Sequence, residues 1–228
     1  MARTRANDYD KKRLGILSRS AALFAAHGYT GTSITMIAEA CGVSKALMYH
    51  YYSSKDAVLF DLLSDHLQHL VGVVEAASRS SDRGSDRLFA ISAALLEAYR
   101  GADAEHQVQI ASLKLLPAAQ QEGLKEMERT LVALVSEALV AAIPSIAKRH
   151  HLLKPLTMSF FAMLNWHYLW FREGKGITRD KYARMVTALV LAGADDAMAA
   201  TDEAATERLA LKKKTDKRPA LAGRVGNS

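Results

Sequence analysis

An all-α protein, a small N-terminal helical unit followed by a larger helical body, is predicted on three observations. Half of the residues are apolar and only four are proline, with alanine and leucine abundant and valine and isoleucine rarely consecutive, a balance that favours helix over sheet. Apolar residues recur at helical spacing through most of the chain. Serine or threonine precedes several of these stretches and glycine or proline follows them, as helix starts and stops require. At 228 residues the chain is long enough to bury a sizeable core. Its apolar runs at 131–143 and 182–200 are interrupted by Ser136, Glu137, Arg184 and Asp195, short of the ~20 residues that span a bilayer. No apolar segment of the signal-peptide kind stands near the N-terminus, and the lone Cys41 has no partner for an intrachain disulfide. The expectation is a soluble, cytoplasmic protein without membrane contact.

The elements follow in order. Leu14, Leu17, Ala21 and Phe24 form a stripe ended by Gly28, which predicts a first helix over about 9–27. Thr32-Ser33 supplies a cap for a short second helix with Ile34, Ile37, Ala38 and Cys41 on one face. Gly42 can take the left-handed conformation that ends it. Ser44 caps a third helix over about 45–51, where Val43 and Met48 occupy the two positions of a hydrophobic staple. Ser53-Ser54 starts a long fourth helix carrying Val58, Leu59, Leu62, Leu63, Leu67 and Leu70, and 78–85 reads as a polar linker. Further helices are expected at about 86–101, 104–116, 120–143, 156–173 and 179–200, separated by Pro117, Pro144, Pro155 and the Gly174/Gly176 pair. This gives a helix-turn-helix domain at 1–60, a helical effector-binding and dimerisation domain at 61–205, and a basic tail at 206–228 expected to be disordered.

Charge is distributed unevenly. Residues 1–60 carry +4 and residues 212–228 carry +5, around a middle of −3. A basic head and tail on a mildly acidic body suit ends that meet a polyanion, although a solvated basic tail serves solubility as well. Two short capped helices joined by Cys41-Gly42-Val43 make a helix-turn-helix. Glycine turns between short helices also occur in ordinary bundles. Here the second helix gathers Lys45, Tyr49, His50, Tyr51 and Tyr52, more polar aromatic surface than so short a core helix can bury. A helix entering the major groove uses such surface.

Thr32-Ser33-Ile34-Thr35-Met36-Ile37-Ala38, followed by Gly42-Val43-Ser44-Lys45-Ala46-Leu47-Met48-Tyr49-His50-Tyr51-Tyr52-Ser53-Ser54-Lys55-Asp56, resembles the DNA-binding signature of the TetR family of transcriptional regulators. The resemblance covers about residues 10–60 closely and the rest only in helical layout. It departs at Leu47, where a hydroxyl residue is frequent, and at Ser53, where proline is frequent. Leu47 can meet a thymine methyl but donates no hydrogen bond. The resemblance implies that Thr32, Ser33, Thr35, Ser44, Tyr49, His50 and Lys55 grip phosphates, and that Lys45, Ala46 and Leu47 face base edges. It also implies a repressor that binds a palindromic operator as a homodimer paired through the last two helices. A multidrug-type sensor, or an architectural DNA-binding protein without an effector, stands as the alternative.

The stretch from Phe160 to Phe171 places both tryptophans on one expected helix. Its aromatics can be plain core, yet Asn165, His167 and Tyr168 add polar tips to an apolar wall, as a ligand site requires. Met163, Trp166, His167, Trp170, Phe171 and Arg100 are the candidate effector residues. Asn165-Trp166-x-Tyr168-x-Trp170-Phe171 with Gly174-x-Gly176 is similar to the acyl-CoA-responsive branch of the family, which implies an acyl-CoA thioester as effector. Arg87, Arg100, Lys114, Arg129 and Arg172 are candidate partners for its phosphates. No catalytic, metal or cofactor site is expected: His66 and His69 lack a neighbouring Glu-x-x-His pattern, and neither a phosphate loop nor a nucleophile elbow occurs.

Overall fold

The computed structural model describes the backbone of residues 2–216 and the side chains of residues 8–202. Among the described residues there are nine α-helices with short 3₁₀ turns, and the one β feature is an isolated bridge between Arg172 and Lys175. The protein is therefore all-α, as its composition requires.

Helix α1 (Ala2–Gly31) buries Ile16, Leu17, Ala21 and Phe24. Leu14, expected on this stripe, points to solvent, and Ile16 takes its place. Gly28 adopts φ 71° and breaks the helix, because this left-handed geometry is cheap only for glycine. Helix α2 (Ile34–Cys41) starts where the Ser33 hydroxyl accepts from the Met36 N–H at 3.2 Å and ends at Gly42 with φ 66°. Helix α3 (Lys45–Tyr51) starts where Ser44 accepts from the Leu47 N–H at 3.1 Å. The caps at Ser33, Ser44 and Ser54 sit at the expected residues, since each satisfies an amide that the first helical turn leaves unpaired.

Helix α4 (Lys55–Ser78) leads from this headpiece into the body. By length and composition it is apolar enough to cross a membrane, but Val58, Leu59, Leu62, Leu63, Leu67, Leu70 and Val74 are all buried in the core. It packs on α5 (Gly84–Ala98) and α7 (Ala118–Ala142), and α5 in turn packs on α9 (Arg179–Asp216). Helix α8 (His150–Asn165) lies against α7 and α9, while α6 (Asp103–Ser112) comes back to rest on α1 and α4. A β-carbon on Gly84 would stand 2.4 Å from the backbone of Ala141, so α5 begins in close contact with the end of α7. Within the core, the Ser92 and Thr187 hydroxyls satisfy each other at 3.1 Å between α5 and α9.

Several expected boundaries move. Pro155 does not separate helices but lies inside α8, near enough to the N-terminus that only one intrahelical bond, to the His151 carbonyl, is forfeited. The expected helix at 156–173 stops at Asn165, and Trp166–Leu169 winds as a 3₁₀ turn. The 78–85 linker already contains the start of α5 at Gly84. Helix α9 runs on to Asp216, past the expected end at residue 200. The rest of the expected tail, 217–228, lies outside the described residues.

Candidate functional site

The headpiece sorts its residues into an exposed set and an inward-facing set. On α3, Met48 is fully buried while Leu47 and Tyr49 stay 38% and 51% exposed. Lys45, Ala46 and His50 share the exposed face with them, and the Lys45 ammonium stands 6.0 Å over the Tyr49 ring. Ser33, Thr35 and Ser44 are exposed at the starts of α2 and α3. Eight of the ten expected DNA-contacting residues are thus exposed on the helix-turn-helix. Tyr51 turns sideways and stacks on Tyr9 of α1 at 4.8 Å.

Thr32 and Lys55 face inward instead. The Thr32 hydroxyl is buried and donates to the Gly28 carbonyl at 2.9 Å. Lys55 Nζ donates to the carbonyls of Tyr29 at 2.7 Å and Thr32 at 2.8 Å and rides 4.2 Å over the Tyr29 ring. The cause is the break at Gly28, which frees carbonyls from the helix ladder and leaves them in need of donors. The Tyr29 hydroxyl also donates to Asp56 on α4. A second tie joins α1 to α4: Arg13 meets Asp61 at 2.6 Å and Asp65 at 3.0 Å, and the Tyr52 hydroxyl donates to Asp61 at 2.7 Å. Hydrogen bonding to Asp61 holds the Arg13 guanidinium firmly charged, and burial pushes the Tyr52 phenol well up.

The body holds a cavity of about 220 Å³ between Leu70 of α4, His106 and Gln109 of α6, Leu131 of α7 and Phe161 of α8. One end is polar. Tyr99 donates to the Asn165 side-chain oxygen at 2.8 Å, and His106 Nε2 donates to the Asn165 backbone carbonyl at 3.2 Å. The Gln109 amide donates to Glu128 at 3.1 Å. His106 Nδ1 and the Gln109 carbonyl oxygen are buried without a partner. Desolvation pushes His106 down to about 4, so its ring stays neutral.

The six expected effector residues do not line this cavity. Trp166 and Trp170 are half exposed on the outside, against Tyr168 and Tyr182 respectively. His167 and Phe171 are buried together, with ring centres 5.4 Å apart. His167 lies one layer behind the cavity, stacked 5.9 Å from Tyr99. Met163 is half-buried, and its backbone carbonyl accepts from the Tyr182 hydroxyl at 2.7 Å. Arg100 is exposed and paired with Glu97 at 2.7 Å and Glu173 at 3.3 Å. The 3₁₀ turn accounts for much of this. Three residues per turn eclipse Trp166 and Leu169 on the outer side, where a continued α-helix would have rotated them apart. The lining residues outside the six candidates include Met158, Phe161 and Asn165, whose spacing along one face of α8 is visible but whose neighbour is not.

Residues 16–62 match the model for bacterial regulatory proteins of the tetR family, and residues 81–194 match the tetracyclin repressor-like C-terminal domain. A TetR-family regulator from Bordetella parapertussis is 36% identical with a TM-score of 0.75, over 78% of this chain and 93% of that one. The repressor KstR2 of Rhodococcus jostii is 26% identical over 80% of this chain and 90% of its own length. A structure of AibR with isovaleryl coenzyme A and operator DNA shares the fold, with a TM-score of 0.66 and 23% identity over 78% of this chain and 97% of that one. With the helix-turn-helix and the helical body both matched in order, the chain belongs to the TetR family of bacterial regulatory proteins.

Proposed function

We propose that the protein is a repressor that binds a palindromic operator as a homodimer and leaves it when an acyl-CoA thioester enters the body. One observation carries the DNA reading: α3 buries Met48 and leaves Lys45, Leu47, Tyr49 and His50 outside, a helix held from behind with its front free for base edges. Residues 1–60 act as the DNA-binding unit and 61–205 as the effector and dimerisation unit. The dimer seam is the outer face of the turn after α8 and of α9, where Trp166, Leu169, Trp170, Met185 and Leu189 are all exposed. So much apolar surface in one place marks an interface.

Helix α6 links effector to operator. It carries His106 and Gln109 at the cavity and packs on α1 of the headpiece. A ligand that moves α6 moves the headpiece, a coupling that an architectural DNA-binding protein does not need. Release follows if the ligand favours a state in which the two heads no longer match the half-sites. The test is selection of duplexes from a random pool by the full-length protein. Enrichment of a two-fold symmetric site, with half-sites about one helical turn or a multiple apart, is the expected result. Enrichment of an asymmetric site, or none over random duplex, overturns the proposal.

A further inference from the structure

The cavity does not end at its apolar wall. Glu128, Val132 and Met158 line both the cavity and a more open groove along the α7–α8 seam, whose outer lining includes Lys125, Arg129 and Lys154. Arg129 is held by its own helix, in pairs with Glu122 at 2.8 Å and Glu126 at 2.7 Å. Lys125, half-buried, and Lys154, exposed, are in no ion pair among the described residues. The seam therefore runs from a polar inner end, through Phe161, Met158 and Val132, past one carboxylate, to two unpaired ammonium groups.

We infer that this seam is the effector site and that it is divided: the acyl group of a phosphorylated thioester fills the cavity, its carrier arm passes Glu128, and its phosphates rest on Lys125 and Lys154. The inference rests on the acyl-thioester reading of the effector and assigns its ends to residues. Three features support the order of parts. The cavity is too small for a whole nucleotide-bearing thioester, so the nucleotide stays outside, and outside is where the cations are. The inner end offers His106 Nδ1 and the Gln109 oxygen, both acceptors without a donor, which suits a neutral group bearing a hydroxyl or N–H and penalises an anion. Glu128 at the junction repels a free carboxylate there, whereas a thioester carbonyl is uncharged. The seam thus selects the activated acyl group over the free acid by charge.

Calorimetry on the full-length protein without DNA tests this with isovaleryl-, octanoyl- and benzoyl-CoA, their free acids, and the matching N-acetylcysteamine thioesters, which lack phosphates. At least one CoA ester should bind at least tenfold more tightly than its acid. The double variant Lys125→Glu/Lys154→Glu should weaken that ester tenfold or more and change the N-acetylcysteamine thioester less than twofold. Glu128→Gln should narrow the gap between ester and acid severalfold. Operator affinity of each variant, measured alongside, verifies that it is folded. CoA binding indifferent to the charge reversal overturns the assignment of the phosphates while leaving the thioester as effector. If no CoA ester binds and operator affinity is intact, the acyl-thioester reading itself fails, and binding of an uncharged hydrophobic drug instead would make the protein a multidrug-type sensor.

Discussion

The headpiece and the body of this protein are both helical, yet they are built by different rules. In the headpiece, short helices are cut by Gly28 and Gly42, capped by Ser33 and Ser44, and filled by a few side chains such as Phe24, Ile37 and Met48. Its boundary signals are local in sequence. In the body, long helices cross, and what matters is which faces meet: Ser92 on Thr187, Gly84 on Ala141, and His106 beneath Asn165. The first kind of structure can be read along the chain. The second requires knowing neighbours that are 50 or more residues away.

The sharpest separation between the two regions should come from acid. Burial, and then the proximity of His106 and His69, holds His66 down to about 3, and His106 is held at about 4. Both stay neutral in the fold while the unfolded chain takes up protons below about pH 6.5. Their contribution to stability is complete above that pH and is lost as the pH falls toward 4, at up to about 1.4 kcal/mol per pH unit for each ring. Denaturant unfolding between pH 7 and 5 should show a loss of about 2–4 kcal/mol, and His66→Gln should reduce the slope by about one proton. An unchanged slope in that variant would remove His66 from the account.

The close crossing at Gly84 gives the next largest effect. A methyl group there meets backbone rather than a yielding side chain, so Gly84→Ala should cost about 3 kcal/mol and lower the melting temperature of the body. Alanine tolerated at this position would mean that the helix crossing is adjustable, and with it the distinction between a locally and a globally specified half.

Within the headpiece a pair of lysines sharpens the same contrast. Lys45→Ala should weaken operator binding by about 1–3 kcal/mol and relax base preference, with the melting temperature unmoved. Lys55→Ala removes a cation that donates to two backbone carbonyls, and should cost about 1–2 kcal/mol of stability while weakening all DNA sequences alike. Fluorescence anisotropy with operator and random duplex, beside thermal unfolding, separates the two. Equal loss on both duplexes for Lys45→Ala would end its assignment as a base reader.

Legibility in the sequence follows this division. Spacing and capping residues mark α1 to α4 and with them the exposed side of α3, because a hydroxyl three residues ahead of an amide is a local event. Thr32 and Lys55 face inward because the break at Gly28, legible in the sequence as a stop, exposes carbonyls that no sequence pattern announces. In the body, abundant aromatics point the expected effector site toward Trp166 and Trp170, which the cavity lining does not include. A helix continued through residue 169 would give those side chains a consistent face, whereas the 3₁₀ turn puts them outside. Glu128, Lys125 and Lys154 carry no signal of their own, since a charged residue on an amphipathic helix looks the same beside a cavity as beside water.

The ties at the base of α4 set a transmission ratio. Arg13, Tyr29, Tyr52 and Lys55 fasten the headpiece to the first three turns of the helix, and the cavity touches it at Leu70, near the far end. From Lys55 to Leu70 the helix makes an arm about 22 Å long at 1.5 Å per residue. A tilt of ~5° about Leu70 therefore carries the base of α4, and α3 with it, sideways by about 2 Å, more than half the rise of one base pair. In a two-fold dimer the displacement is doubled between the two heads. On the proposed mechanism, stiffness at the small end of the molecule, rather than a large motion in the body, would let a small shift of the cavity wall become a mismatch in operator length.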